Sequence, residues 1–268
     1  AGPGRRVNDQ TLPAHERRRL LSLVTGEPLA ETYEGMELTD RQTRRYRVLT
    51  ERRLAGEPLQ YLEGSVAFGP LTLAIDRRAL IPRPETEQLW ELVRDEVTVA
   101  GRPPGLVVDL CTGAGALALA LKYTFPSAVV MGSDLSVEAL RLAEENGYRT
   151  RLEVVWREGD LFDALPLDVR GHVDVLVANP PYVPAGAFLP MEIREHEPTM
   201  ALYAGPDGTE VLARIAAQAR GWLRSGGLVA CEIGDDQGQA VKSLFADYAP
   251  TIRRDLAGRD RFVVGRAP

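Results

Sequence analysis

The residues with the clearest chemical content stand four in a row, Asn179-Pro180-Pro181-Tyr182. Successive prolines end a strand and stiffen the backbone, so the Asn179 side-chain oxygen and the Pro180 carbonyl can point at one spot while Tyr182 supplies a flat face. Such a site suits a planar NH2 group. The nitrogen of an amide, or of adenine's amino group, is a poor nucleophile because its lone pair is delocalised. Two acceptors that hold both N–H hydrogens turn the lone pair toward an electrophilic methyl and stabilise the positive charge developing on nitrogen, with no strong base needed before attack. The other reading of the tetrapeptide is a loop with a capping asparagine.

A second stretch, Asp109-Leu110-Cys111-Thr112-Gly113-Ala114-Gly115, follows an apolar run and opens onto an Ala/Leu-rich segment. Glycines between strand and helix let the backbone touch a ligand at the carboxyl edge of an α/β sheet. The stretch satisfies the dinucleotide pattern Gly113-x-Gly115-x-x-Ala118, with Asp134 after the next strand able to hold a ribose. It is therefore open to a nicotinamide cofactor, to S-adenosylmethionine, or to a turn without ligand. Two details favour S-adenosylmethionine: Asp109, an anion near where a sulfonium and an amino group would lie, and the lack of a basic group dedicated to a pyrophosphate. Asp160-Leu161-Phe162 would bring a carboxylate to the adenine amino group and side chains to its faces, although Asp160 also suits an exposed turn. Cys111 and Cys231 lie far apart without metal-ligand neighbours, and His15, His172 and His196 have no partner pattern, so neither a metal site nor a disulfide framework is expected.

For these residues to meet, the chain must carry them to one edge of a sheet. After a helix over Glu85 to Val99, buried-type runs alternate with helical ones: Leu106 to Leu110, Ala128 to Ser133, Leu152 to Arg157, Val173 to Ala178 and Leu228 to Ile233. Thr251 to Asp255 and Arg261 to Val264, flanking Ala257-Gly258-Arg259-Asp260, suit an antiparallel edge hairpin. The expected class is thus α/β with a mostly parallel sheet. Ahead of it, Pro13 to about Leu54 reads as helical, with one apolar stripe of Leu20, Leu21, Leu23 and Val24 and a second of Tyr46, Val48, Leu49 and Leu54. Thr39-Asp40 is an N-cap signal and Gly56-Glu57-Pro58 a stop. Tyr61 to Phe68 and Leu71 to Ile75, around Gly69-Pro70, read as a β-hairpin joining two domains, with the boundary near Asp76.

The 268 residues, 44% hydrophobic and 26% charged, have a globular composition that allows one or two domains at about 150 residues each. No apolar run reaches the roughly 18 residues of a membrane helix. Ala1 to Asp9 is small, polar and basic with no apolar core behind it, so neither a signal peptide nor an anchor is expected and the location is cytoplasmic. A net charge of −6 argues against affinity built on nucleic-acid phosphates. Up to Ile75 there are 11 Arg against 10 Asp plus Glu; the remainder has 21 basic against 28 acidic residues, net −7, and carries the acidity.

With these residues assembled, the chain resembles the peptide chain release factor glutamine methyltransferases, the PrmC/HemK family. The match runs from Leu12 to Arg266 and includes, besides the asparagine tetrapeptide, Gly56 to Leu62, Leu80-Ile81-Pro82-Arg83-Pro84-Glu85-Thr86-Glu87, Glu197-Pro198 with Ala201-Leu202, and Asp255 to Arg261. The resemblance implies a helical substrate-docking domain over 1–60, a β-hairpin linker over 61–82, and over 83–268 a class I, Rossmann-like, seven-stranded methyltransferase sheet ending in an antiparallel hairpin. S-adenosylmethionine would be the donor and S-adenosylhomocysteine the product. The acceptor would be the glutamine of the Gly-Gly-Gln loop of class 1 release factors, placing the protein in translation termination as a monomer without direct nucleic-acid or membrane contact. Acceptor contacts fall on Asn179, Pro180, Pro181 and Tyr182; cofactor contacts fall on Asp109, Cys111, Thr112, Gly113, Ala114, Gly115, Asp134, Asp160, Leu161 and Asn179. The sequence departs from the family pattern at Cys111, where a glycine is usual, at Leu161, where an aromatic residue is common, and at an amino terminus shorter by about a helix. Rival readings are a glutamine methyltransferase of a ribosomal protein, an adenine-amino methyltransferase on DNA or RNA, a nicotinamide-dependent dehydrogenase, for which Asn179 to Tyr182 has no role, and an inactive binding module.

Overall fold

Pro13, with its fixed φ, leads into helix α1 (Ala14–Thr25), which Gly26 ends in the left-handed conformation. The computed structural model describes residues 5, 6, 12–27 and 36–268. Expectations for the other residues before 12, and for the stretch 28–35, lie outside the described residues. Strand β1 (Arg5–Arg6) pairs antiparallel with β2 (Glu37–Leu38). Helix α2 (Asp40–Leu54) starts on a capping box in which Thr39 and Gln42 each accept the other's backbone N–H, as the Thr39-Asp40 signal leads one to expect. Leu20, Leu21 and Val24 of α1 pack with Tyr46 and Leu49 of α2, joined by Leu12, Leu38, Leu59 and Leu62. Val48 and Leu54, 48% and 53% exposed, fall off the face that Tyr46 and Leu49 share at i,i+3 spacing.

The expected strand Tyr61 to Phe68 divides in two. Pro58 opens a short helix, α3 (Leu59–Glu63), which Gly64 ends at φ 70, and only β3 (Ser65–Phe68) is extended. Leu59, Tyr61 and Leu62 are all buried, and a short apolar run of this kind has no period that separates helix from strand.

The chain folds into two compact units, residues 1–65 with 189–196, and residues 66–188 with 197–268. Within the first, Arg53 of α2 makes a fork of two 2.9 Å bonds to Glu16 of α1 and pairs with Glu192 at 3.3 Å.

Within the second, β3 and β4 (Leu71–Ala74) form a two-stranded sheet. Helix α4 (Pro84–Val99) begins with Pro84 at a position where its missing N–H costs nothing. Then follow β5 (Leu106–Leu110), α5 (Ala116–Thr124), β6 (Val129–Asp134), α6 (Val137–Thr150), β7 (Val155–Glu158), β8 (Val173–Ala178), the short helix α7 (Met191–His196) of the first unit, α8 (Glu210–Ala219), β9 (Leu223–Glu232), α9 (Gly238–Leu244), β10 (Thr251–Arg254) and β11 (Asp260–Arg266). The seven-stranded sheet has the order β10-β11-β9-β8-β5-β6-β7. Five strands are parallel and β11 and β10 antiparallel, so the mostly parallel class I sheet with its terminal hairpin is the observed fold. The strand order reverses between β5 and β8, and ligands of open α/β sheets bind beyond the carboxyl ends of strands at such a switch point. The glycine-bearing loop leaves β5 there and Asn179 leaves β8.

Two further contacts set this edge. The buried Asn146 of α6 donates to the carbonyls of Ala74 and Ala114 and accepts from the Ala74 N–H, tying β4 and the loop after β5 to one side chain. Trp156 of β7 lies across glycines: a Cβ at Gly132 would stand 2.5 Å from its ring, and one at Gly115 2.7 Å. Gly115 is therefore needed for helix-to-sheet approach as well as for its φ of 81.

Candidate active site

Three residues of the loop between β5 and α5 adopt positive φ: Cys111 at 56, Gly113 at 56 and Gly115 at 81. At the end of β6, Asp134 holds this loop, accepting the Gly113 N–H at 2.8 Å through Oδ2 and the Ser136 N–H at 2.9 Å through Oδ1. Burial raises its pKa, and those backbone donors oppose the rise. Asp109, at the end of β5, is 1% exposed. Its Oδ2 accepts from the Thr112 hydroxyl and the Ala118 N–H, while Oδ1 has no hydrogen-bond partner among the described residues. Desolvation lifts this carboxyl to about 7 against the pull of the Thr112 hydroxyl and the Ala118 N–H. The Cys111 thiol is pushed up by burial and by the neighbouring carboxylates, which makes it an inert filler and not a nucleophile.

On the β8 side, Asn179 Nδ2 donates to the Thr86 hydroxyl at 3.0 Å, and Thr86 donates to Glu232 Oε2 at 2.8 Å. The Tyr182 hydroxyl donates to the other oxygen of Glu232 at 3.1 Å. Gln237 donates to the Tyr182 carbonyl at 2.9 Å. Glu232, at the end of β9, is 1% exposed, and burial raises its carboxyl to about 7 against the pull of the two hydroxyls and Arg261.

A cavity of about 350 Å³ brings the two groups of residues together. From the β5 side its wall includes Asp109, Cys111, Thr112, Gly113 and Ala114, from β6 Asp134, and from the segment after β7 Asp160 and Leu161. From the β8 side it includes Asn179 and Pro181. Gly115, Pro180 and Tyr182 are not part of the wall: Gly115 packs on Trp156, Pro180 is buried, and Tyr182 reaches Glu232. A Cβ built at Gly113 meets nothing within 4 Å, which leaves the backbone there open to a ligand. Asp160 forms an ion pair with Arg214 at 2.8 Å, both half-exposed, and Leu161 occupies a left-handed φ of 50. Arg214 is thus a wall residue that motif reading does not supply.

Two family models match the chain, the PrmC N-terminal domain over residues 8–64 and the methyltransferase small domain over 95–191. The release factor glutamine methyltransferase of Mycolicibacterium smegmatis is 44% identical over 77% of this chain and 73% of its own length. That of Deinococcus radiodurans is 42% identical over 81% of this chain and 77% of its own. The chain belongs to the release factor glutamine methyltransferase family. A solved structure, that of the T. thermophilus 16S rRNA N2 G1207 methyltransferase in complex with AdoMet and guanosine, is 18% identical with a TM-score of 0.54, covering 76% of this chain and 50% of that one, and shares the fold.

Of the segments that carry the family resemblance, Gly56 to Leu62 lies in the first unit, while Leu80 to Glu87, Glu197-Pro198 and Asp255 to Arg261 lie in the second. Arg83 pairs with Glu197, whose other oxygen accepts the Ile81 N–H at 3.3 Å. In the turn between β10 and β11, Asp255 accepts the backbone N–H groups of Ala257 and Arg259, and Arg259 reaches Glu85 at 3.5 Å. Sequence reasoning missed Thr86, Glu232 and Gln237 as site residues. Glu232 did carry a signal, an acidic residue inside the apolar run Leu228 to Ile233, near its carboxyl end where the sheet binds ligands.

Proposed function

We propose that this protein transfers the methyl of S-adenosylmethionine to the side-chain amide nitrogen of the glutamine in the Gly-Gly-Gln loop of class 1 release factors, as a cytoplasmic monomer. In this reading residues 1–60 dock the folded factor and 83–268 carry out the transfer. One observation carries it: Asp134 with Gly113, and Asn179 with Pro181, line a single cavity. Among the described residues no helix is long and apolar enough to cross a membrane.

The residues fit the cofactor. Asp134 accepts the Gly113 N–H through Oδ2 and the Ser136 N–H through Oδ1, with Leu135 N–H nearby, and would offer further lone pairs to ribose hydroxyls, while Asp109 Oδ1 remains an unused acceptor beside the loop. When bound, S-adenosylmethionine supplies a methyl on a sulfonium and leaves as S-adenosylhomocysteine. Asn179 Oδ1 and the Pro180 carbonyl would each accept one amide N–H, turning the nitrogen lone pair toward the methyl and stabilising charge as the new C–N bond forms. The extra proton then leaves to water. Pro181 forms the apolar side of the acceptor position, and Tyr182 holds the loop through Glu232.

The test is Asn179→Ala, with cofactor affinity and turnover on a purified release factor measured separately. Affinity is expected to stay within a few-fold while methyl transfer falls by at least about 100-fold. Near-normal turnover would overturn the role of Asn179.

A further inference from the structure

The side-chain amide of an asparagine can present either its oxygen or its NH2 to a ligand, and only the oxygen can hold a substrate N–H. We propose that Thr86 and Glu232 are positioning residues that fix Asn179 with Oδ1, and not Nδ2, toward the substrate amide. This rests on Asn179 being the acceptor of the glutamine N–H.

The direction of each hydrogen bond follows from what the groups can do. An ionised carboxylate only accepts. Each Glu232 oxygen is met by one hydroxyl, Thr86 at 2.8 Å and Tyr182 at 3.1 Å, so both hydroxyl protons point at Glu232. Thr86 has one proton and it is used there. Its oxygen can then only accept, and the Asn179 atom 3.0 Å away must be the NH2. No donor among the described residues reaches Oδ1, which is left for the cavity that Asn179 lines. The relay is sheltered from water, with Glu232 1% and Thr86 4% exposed.

Protonating Glu232 would scramble the relay. A proton on either carboxyl oxygen faces a hydroxyl proton, and one hydroxyl must turn away. If Thr86 turns, it donates to Asn179 and draws Oδ1 to itself, presenting NH2 to the substrate's own NH2. The groups facing Glu232 are Thr86 and Glu85 from α4, Tyr182 from the loop after β8 and Arg261 from β11, and Arg83 acts on Tyr182. With the carboxyl raised to about 7, the switch would lie near neutrality, and the productive orientation would gain as pH rises.

The experiment uses the full chain in three variants, Thr86→Val, Thr86→Ser and Glu232→Gln, alongside Asn179→Ala. Thr86→Val should lower kcat by at least about 30-fold with cofactor affinity within a few-fold, and Thr86→Ser, which keeps the relay, should stay within about threefold of the wild type. Asp109 is raised to the same range, so kcat is compared in an Asp109→Asn background, where it should fall on the acid side with one ionisation and this limb should vanish when Glu232→Gln is added. In 15N spectra the Asn179 side-chain NH2 signal, assigned by its loss in Asn179→Ala, should shift through the same ionisation. That readout needs neither Thr86 variant to fold. Wild-type kcat in Thr86→Val, equal impairment of Thr86→Ser and Thr86→Val, or an acid limb left unchanged when Glu232→Gln is added to Asp109→Asn would each overturn the relay. Should Asn179→Ala turn over normally, the acceptor role itself fails; should it be dead while Thr86→Val is normal, only the relay fails.

Discussion

Asp134 holds the loop after β5, and in the proposed reading it would hold the cofactor ribose as well. Its two oxygens fasten Gly113 and Ser136, and the remaining lone pairs are those a ribose would use. Asp134→Ala should weaken S-adenosylmethionine binding by about 1.5–3 kcal/mol, the loss of a charged acceptor, as read by calorimetry. An unchanged affinity would remove Asp134 from the site. At this scale the motif residues were legible because each stands beside a recognisable neighbour in sequence: Gly113 near Gly115, Asn179 before two prolines. Thr86 was not, because its partners Asn179 and Glu232 lie 93 and 146 positions away and meet it only in the fold. Cys111 is a third case. The missing glycine is visible in the sequence, but only the structure gives φ 56, a conformation costing a non-glycine residue about 1–3 kcal/mol.

Elements were legible where apolar runs are long and bounded. β5 and β8 have the expected limits, while β9 begins five residues earlier than its apolar stretch, at the buried Leu223, which pairs with Val173 ahead of a register shift and is set apart from the apolar stretch by Arg224 to Gly227. The run at Tyr61 failed because a short apolar segment has no period to read. The β5 and β9 strands also carry a cost written into their last turns of sequence: Asp109 and Glu232 are buried acids, each raised to about 7 by desolvation. A carboxyl whose folded pKa lies above its unfolded one favours the fold below the unfolded value, near 4, and that contribution is lost as pH rises through about 7. Thermal stability of the ligand-free protein should therefore fall between about pH 4 and pH 7, and Asp109→Asn, which keeps a neutral acceptor for Thr112 and Ala118, should flatten the fall. A melting temperature that climbs steadily across that window, or falls as steeply in Asp109→Asn, would show that these acids are not buried as described.

Over the whole molecule, residues 189–196 join the amino-terminal residues in one compact unit although they lie between β8 and α8 in sequence. A truncation at Ile75 would strip that segment of the rest of its unit, so docking of a folded factor is better tested on the full chain. In the proposed reading, a release factor, a ribosomal protein and an adenine in DNA differ in the acceptor that would reach Asn179. The direct measurement is to offer the 268-residue chain isotopically labelled S-adenosylmethionine with purified class 1 release factors, ribosomal proteins and DNA together, and to locate the label by peptide mass spectrometry and nucleoside analysis. One methyl on the glutamine side chain of the Gly-Gly-Gln loop, absent with Asn179→Ala, is the predicted result. Label on a ribosomal protein or on adenine, with the release factors untouched, would contradict it.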